Sequence, residues 1–331
     1  MIKITTIPGD GIGKEVISSG IAILENLDLN MDFKEAAAGE ECFKKTGTTI
    51  PEETIKMAKN ADATLFGANT SVPGEKSPIL TLRQSLDLYA NIRPVKSYAG
   101  VNSLFDNVNF IIVRENTEGL YCQVESLLDD KTIAQRRITR KASERISNSA
   151  FKIAKHYKKE TVTCVHKSNV LKKTDGIFKD SFYKIAKNYP NIKTNDFYVD
   201  AMAMYLVTNP EKFDVIVSTN LFGDILSDEA AGLVGGLGLL PSGNLGDKKG
   251  LFEGVHGSAP DIAGKNIANP IATILSIAMM LDFLKEDYYG NKIKTSVENI
   301  LKQGKIKTPD LGGKNTTKEM TEAIINEINS L

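Results

Sequence analysis

Short apolar runs that read as strands alternate along this chain with segments of helical periodicity, and that alternation restricts the fold more than any other feature. Residues 3–7 have a strand's character, the glycines of PGDGIG make a tight turn, and residues 14–27 carry apolar side chains at helical spacing. A helix-like segment at 51–60 then leads to a second strand-like run at 63–66. Strand–helix–strand order of this kind calls for an α/β architecture with a largely parallel sheet. Residues 110–113, 161–165 and 215–218 are further strand-like runs, each ending near polar residues, where open α/β sheets place their ligands. At 331 residues the chain exceeds what one core sustains, so two subdomains are expected. Gly100 and the glycine-rich run 232–238 are the natural crossing points, which gives one subdomain of 1–99 plus 239–331 and another of 100–238.

The stretch TNLFGDILSDE sets Asp224 and Asp228 four residues apart on what reads as one helix. Like charges at that spacing share a face and repel by roughly 0.2–0.5 kcal/mol. The pair is either a solvated acidic face or two ligands of a hard, oxygen-seeking cation such as Mg²⁺ or Mn²⁺. DFYVDAMAMY offers a third carboxylate, Asp200, at a strand-to-helix transition. Lys and Arg number 41 and are matched by 41 Asp and Glu, so no global field draws nucleic acid or an anionic membrane. Cys42, Cys122 and Cys164 are odd in number and in no metal-ligand pattern, which fits a reducing cytoplasm rather than a disulfide or zinc scaffold. The N-terminal residues lack a signal peptide's apolar run, and the most apolar stretch, 271–284, is interrupted by Thr273, Ser276 and Asp282, so no membrane span is expected.

GDGIG has the wrong spacing for the dinucleotide fingerprint GxGxxG, and Asp28 and Asp32 are only loosely placed for its ribose-binding acid. GxxxxGK[ST] is absent, which argues against a phosphoryl-transfer protein. The loop HGSAPDI has small residues that would let backbone amides approach a pyrophosphate, or it is a surface loop with a helix cap at Asp261. Arg83, Arg93 and Arg114 stand in strongly patterned settings, and their planar forks suit bidentate contact with carboxylates. Ordinary ion-pair arginines are the other reading. His156, His166 and His256 form no metal triad, and His166 is given no catalytic role.

NLFGDILSDEAAGLVGGLGL and LFEGVHGSAPDIAGKNIANP together resemble the two signature regions of the β-decarboxylating hydroxyacid dehydrogenases, the family of isocitrate, isopropylmalate and homoisocitrate dehydrogenases. IPGDGIGKEV, LDLYANIRPVK, VRENTEGLY, VTCVHKSNVLK and TPDLGG match it in the same order, across nearly the whole chain. The resemblance implies an isocitrate/isopropylmalate dehydrogenase-like fold, two α/β subdomains around a central cleft and not a Rossmann fold. It implies oxidative decarboxylation of a malate-type 2-hydroxy acid, with Mg²⁺ or Mn²⁺ on Asp200, Asp224 and Asp228. Tyr121 and Lys167 match the proton-transfer pair, and Arg83, Arg93, Arg114 and Asn169 the substrate contacts. The dinucleotide would lie on His256, Gly257, Ser258, Ala259, Pro260, Asp261 and Ile262, with Asn269 close behind. Asp261 would accept hydrogen bonds from the adenine ribose and repel a 2′-phosphate, which favours NAD over NADP. One departure is Gly254, where the family's FEPVHG has proline, and its absence is expected to loosen the loop.

The same resemblance implies a cytoplasmic homodimer with shared sites, Lys167 and Asp200 serving the neighbouring subunit and Tyr121, Asp224 and Asp228 their own. Whether such dimers pair into tetramers stays open. Residues 225–239 read as one apolar helix that packs either in the dimer or within its own chain. A noncatalytic regulatory subunit is the alternative within the family, opposed by the presence of Tyr121, Lys167 and all three aspartates. The family reads the variable substituent just before Arg83, in TSVPGEKSPILTLR. Ser77 with Lys76 would suit a third carboxylate, and Ile79 with Leu80 an isopropyl group. SPI followed by LR is similar to homoisocitrate dehydrogenases, including the methanogen enzyme that takes longer homologues, whereas VDAMAMY resembles isopropylmalate enzymes. The expected order of substrates is homoisocitrate, giving a 2-oxoadipate-type keto acid and CO₂, then isopropylmalate, then isocitrate.

Overall fold

Strand β1 (Ile2–Ile7) is buried over its last four residues and runs into a turn that only glycine can make. Gly9 and Gly11 have φ of 70° and 55°, and a Cβ on them would lie 2.2 Å from the Ala68 carbonyl oxygen and 2.0 Å from that of Ser258. The glycines of PGDGIG are therefore required by close backbone packing. Helix α1 (Gly13–Glu25), β2 (Met31–Glu35), α2 (Glu40–Thr46), α3 (Glu52–Asn60), β3 (Ala63–Phe66) and α4 (Pro78–Ser85) follow. Next come β4 (Ala90–Lys96), β5 (Asn109–Glu115), the hairpin β6 (Glu125–Leu128) and β7 (Lys131–Ala134), and α5 (Arg140–His156), whose N-terminus is capped by Thr139. The chain continues through β8 (Thr161–His166), α6 (Thr174–Ala186), β9 (Lys193–Tyr198), α7 (Val199–Thr208), β10 (Val215–Ser218) and α8 (Asn220–Val234). It closes with β11 (Pro241–Leu245), β12 (Gly250–Gly254), α9 (Ile271–Phe283), α10 (Asp287–Gln303) and α11 (Thr317–Ser330).

The computed structural model describes residues 1–331, which form two units. Met1–Leu88, Ser97–Asp106 and Val234–Leu331 make the first, and Tyr89–Lys96 with Asn107–Leu233 the second. In the first the strand order is β2-β1-β3-β12-β11, parallel except for β11. Helix α9 is apolar on every side because it is wrapped by this unit's core, with Ile271, Ile274, Ile277 and Leu281 fully buried. No helix is long and apolar enough to cross a membrane. In the second unit the order is β4-β5-β10-β8-β9, with β4 antiparallel and the rest parallel. Hairpin β6–β7 is exposed along its whole length.

Residues 225–239 do not form one helix. Helix α8 ends at Val234 because Gly235 and Gly236 take φ of 116° and 108°, and residues 237–239 make a separate 3-10 turn.

Candidate active site

In the second unit, β4 and β5 carry Arg93 and Arg114, and α8, which starts where β10 ends, carries Asp224 and Asp228. Both guanidinium groups are buried, Arg114 at 1 % exposure. Each is aimed by neutral oxygens. Arg114 donates from Nε (2.9 Å) and Nη2 (2.7 Å) to the side-chain Oδ1 of Asn220, and its Nη1 donates to Asp224. Arg93 donates from Nε to the side-chain Oδ1 of Asn91 (2.7 Å) and from Nη1 to the Ser227 hydroxyl (2.5 Å). Its Nη2 lies 3.2 Å from Asp224 and its Nη1 3.3 Å from Asp228. The Tyr121 hydroxyl donates to the other oxygen of Asp224, and the Arg114 guanidinium sits 5.0 Å from the centre of the tyrosine ring. Gly223 lets α8 lie against Arg114, since a Cβ there would come within 2.9 Å of the arginine's Cβ and Cγ. Burial pushes the Asp228 carboxyl up and the Asp224 charge adds to that, against the pull of Arg93 and Arg114.

Lys167 follows β8, and its ammonium donates to Asp200 at the start of α7. That hydrogen bond is the leading cause that lowers the Asp200 carboxyl. Asn169 is exposed two residues on. No hydrogen bond or ion pair joins Lys167, Asn169 or Asp200 to the cluster around Asp224, and no three His, Cys, Asp or Glu side chains of the chain gather as a ligand set. Asp224 and Asp228 nevertheless have the donor chemistry of a hard cation's partners, two carboxylates one helical turn apart. The residues fit such an ion as a partial set, and Asp200 lies outside it within one chain.

In the first unit, Ser77 is the N-cap residue of α4 and its hydroxyl makes no capping bond. Ile79 packs against the cluster of Phe66, Leu82 and Leu88, whereas Leu80 is half-buried outside it. Arg83 donates to Glu253 (3.2 Å), which also accepts from Asn244 (2.8 Å), and the buried Arg83 Nε has no partner. The loop that carries His256–Ile262 is anchored by the β1–α1 turn: the Ile12 N–H donates to the Ser258 carbonyl (2.9 Å), and Thr70 and Ser258 share a hydroxyl hydrogen bond (2.9 Å). Ala259 and Ile262 pack on Ile12, Val16 and Ala268, while Gly257, Pro260 and Asp261 are exposed. Asp261 caps no helix. Asn269 donates to Asp310 of the TPDLGG segment (2.9 Å) and accepts from the Ile271 N–H (3.0 Å). The missing proline has a local consequence: a Cβ at Gly254 would fall 2.5 Å from His256 Nε2, so the imidazole fills that space. Its buried Nε2 is unpartnered, and burial lowers its pKa.

Sequence reasoning missed Asn91, Asn220, Ser227 and Asp310. Each lies inside a motif that had been noticed, two residues before Arg93, within TNLFGDILSDE or within TPDLGG, and only their hydrogen bonds reveal what they hold.

The sequence profile described as isocitrate/isopropylmalate dehydrogenase matches residues 3–324. The chain belongs to that family. It is 54% identical over 325 residues to the 3-isopropylmalate dehydrogenase of Methanothermobacter thermautotrophicus, covering 98% of this chain and 97% of the relative. It is 52% identical over 344 residues to the homoisocitrate dehydrogenase of Methanocaldococcus jannaschii, covering 99% and 98%. Among solved structures, the isocitrate dehydrogenase of Methylococcus capsulatus superposes with a TM-score of 0.95 at 43% identity, covering 99% of each chain. As a member of this family the chain is a β-decarboxylating dehydrogenase, of a class that depends on NAD(P) and a divalent metal. Its substrates are small hydroxy acids.

Proposed function

We propose that this enzyme uses NAD to oxidise and decarboxylate a 3-substituted malate, homoisocitrate and its longer homologues first. The observation that carries the reading is the convergence of Arg93, Arg114 and Tyr121 on Asp224 and Asp228. The two guanidinium groups hold the malate carboxylates, and Arg83 is assigned the third such contact by the resemblance. Tyr121 and Lys167 move protons at the 2-hydroxyl oxygen and at the carbon that loses CO₂, with Asn169 orienting the acid. Asp224, Asp228 and the Asp200 of a second copy would hold Mg²⁺ or Mn²⁺, which supplies a sink for the charge left as CO₂ departs. The His256–Ile262 loop and Asn269 hold the dinucleotide, and Asp261 selects NAD.

Homoisocitrate is favoured by the uncommitted Ser77 hydroxyl at the positive end of α4, which suits a distal carboxylate. A second reading, 3-isopropylmalate, is favoured by Leu80, which lies outside the core one helical turn before Arg83. A homodimer is supported by apolar side chains left exposed in the second unit, among them Leu127, Met204, Val207 and Ile225, each more than half exposed. Solution in the cytoplasm is part of the same reading.

Steady-state rates on homoisocitrate, isopropylmalate and isocitrate, each with NAD and with NADP, test the assignment. A kcat/KM highest for isopropylmalate would select the second reading, and turnover of none of the three would remove the reaction.

A further inference from the structure

Lys167 depends on two buried side chains that none of the roles above uses. Its own backbone N–H donates to Asp175 (2.6 Å), a fully buried carboxylate paired with Arg136. The next backbone N–H, that of Ser168, donates to Nδ1 of His166 (3.2 Å), and His166 is itself fully buried. A ring nitrogen that accepts a hydrogen bond carries no proton, and this geometry assigns the ring proton of His166 to Nε2. Nε2 lies 2.9 Å from Asp196 on β9, the strand paired with β8. Asp196 also accepts from Lys179 (2.8 Å) and from the Tyr183 hydroxyl on α6. Burial alone would push the Asp196 carboxyl up, yet hydrogen bonds from Lys179, Tyr183 and His166 bring it down to about 2. A permanent carboxylate accepts and cannot donate, and it therefore selects the Nε2–H tautomer. Tyr198 stands edge-on to the His166 ring at 5.5 Å.

We propose that His166, locked in its Nε2–H form by Asp196, is a positioning residue that works with Asp175 to fix the backbone from which Lys167 reaches the reacting acid. This rests on Lys167 being a proton-transfer group. The two consecutive amides at 167 and 168 are held from different elements, α6 through Asp175 and β9 through Asp196, so the lysine's Cα cannot pivot freely. A long, flexible ammonium side chain gains its aim chiefly from such a fixed base, and displacing a reacting group by about 1 Å can cost up to about a hundredfold in rate.

Three substitutions and one spectrum test it. His166→Leu removes the acceptor for Ser168 and is expected to lower kcat on the order of tenfold, with KM for the acid and for NAD within about twofold. In His166→Asn the side-chain oxygen can stand where Nδ1 stood, and part of the lost rate should return. Asp196→Asn can donate to Nε2 and let the proton move to Nδ1, which should lower kcat as His166→Leu does. The chain has three histidines, so ¹⁵N-histidine NMR of the unmodified protein reads the tautomer even where a variant fails to fold. A protonated Nδ1 on His166, or an unchanged kcat in folded His166→Leu, overturns the proposal. If the wild-type protein turns over no hydroxy acid, the role of Lys167 fails instead, while the tautomer and the Ser168 amide shift still decide whether the clamp exists.

Discussion

Arg93 bridges Asp224 and Asp228, its two terminal nitrogens lying 3.2 Å from the first and 3.3 Å from the second. One guanidinium thus neutralises the repulsion that the four-residue spacing creates. A divalent ion held as proposed would share or take over these carboxylates, and its affinity would then depend on both of them together. Asp224→Asn leaves the shape intact and removes one charge, and it is expected to weaken Mn²⁺ binding at least tenfold, as read by calorimetry on the purified protein. Binding equal to wild type would show that the ion is held elsewhere.

Asn220 presents a neutral oxygen to Nε and Nη2 of Arg114 at 2.9 and 2.7 Å, which aims the fork without cancelling its charge. An aspartate there would have nearly the same shape and would pair with the guanidinium. Asn220→Asp is expected to raise KM for the hydroxy acid about tenfold, the equivalent of one charged hydrogen bond, and to change kcat far less. Equal loss in kcat and KM, or none in KM, would mean that Arg114 does not contact the substrate's carboxylate.

Gly254 admits the His256 imidazole into space that any Cβ would contest at 2.5 Å, and there the ring buries an unpartnered Nε2. Gly254→Pro should expel the ring and reduce the loop's freedom at once. The gain from the restricted backbone is about 0.4–1 kcal/mol, so the dissociation constant for NAD is expected to fall by about two- to fivefold in a fluorescence titration. Weaker binding would mean that the inward ring position serves the cofactor.

The alternation of strands and helices was legible because its periodicity is a local property, and strands at 63–66 and 215–218 matched residue for residue. The end of α8 was not. Apolar periodicity continues past Val234, and only the positive φ of Gly235 and Gly236 stops the helix. The charged members of the candidate site were legible through the family's motifs, since Arg93, Arg114 and the α8 aspartates stand inside them. Their neutral supports were not, because an asparagine such as Asn220 looks like any helix-start residue until the fold brings Arg114, 106 residues away in sequence, to its side-chain Oδ1. His166 was set aside for the same reason, as its partner Asp196 lies on the neighbouring strand.

Asp196 also makes the stability of the second unit sensitive to acid. Its folded pKa of about 2 lies below the unfolded value of about 3.9, so the unfolded chain binds the proton more readily. The stabilisation is therefore complete above the unfolded pKa and disappears as pH falls through the folded one. The side chain is 21% exposed and water screens part of the interaction, which leaves a contribution on the order of 1 kcal/mol. Asp196→Asn should lower the unfolding free energy measured in urea at pH 7 by that amount, with the gap between variant and wild type closing as the pH is taken from about 5 towards 2. A gap that stays constant over that range would place the stabilising effect in packing, and the carboxylate's hydrogen bonds to Lys179, Tyr183 and His166 would carry none of it.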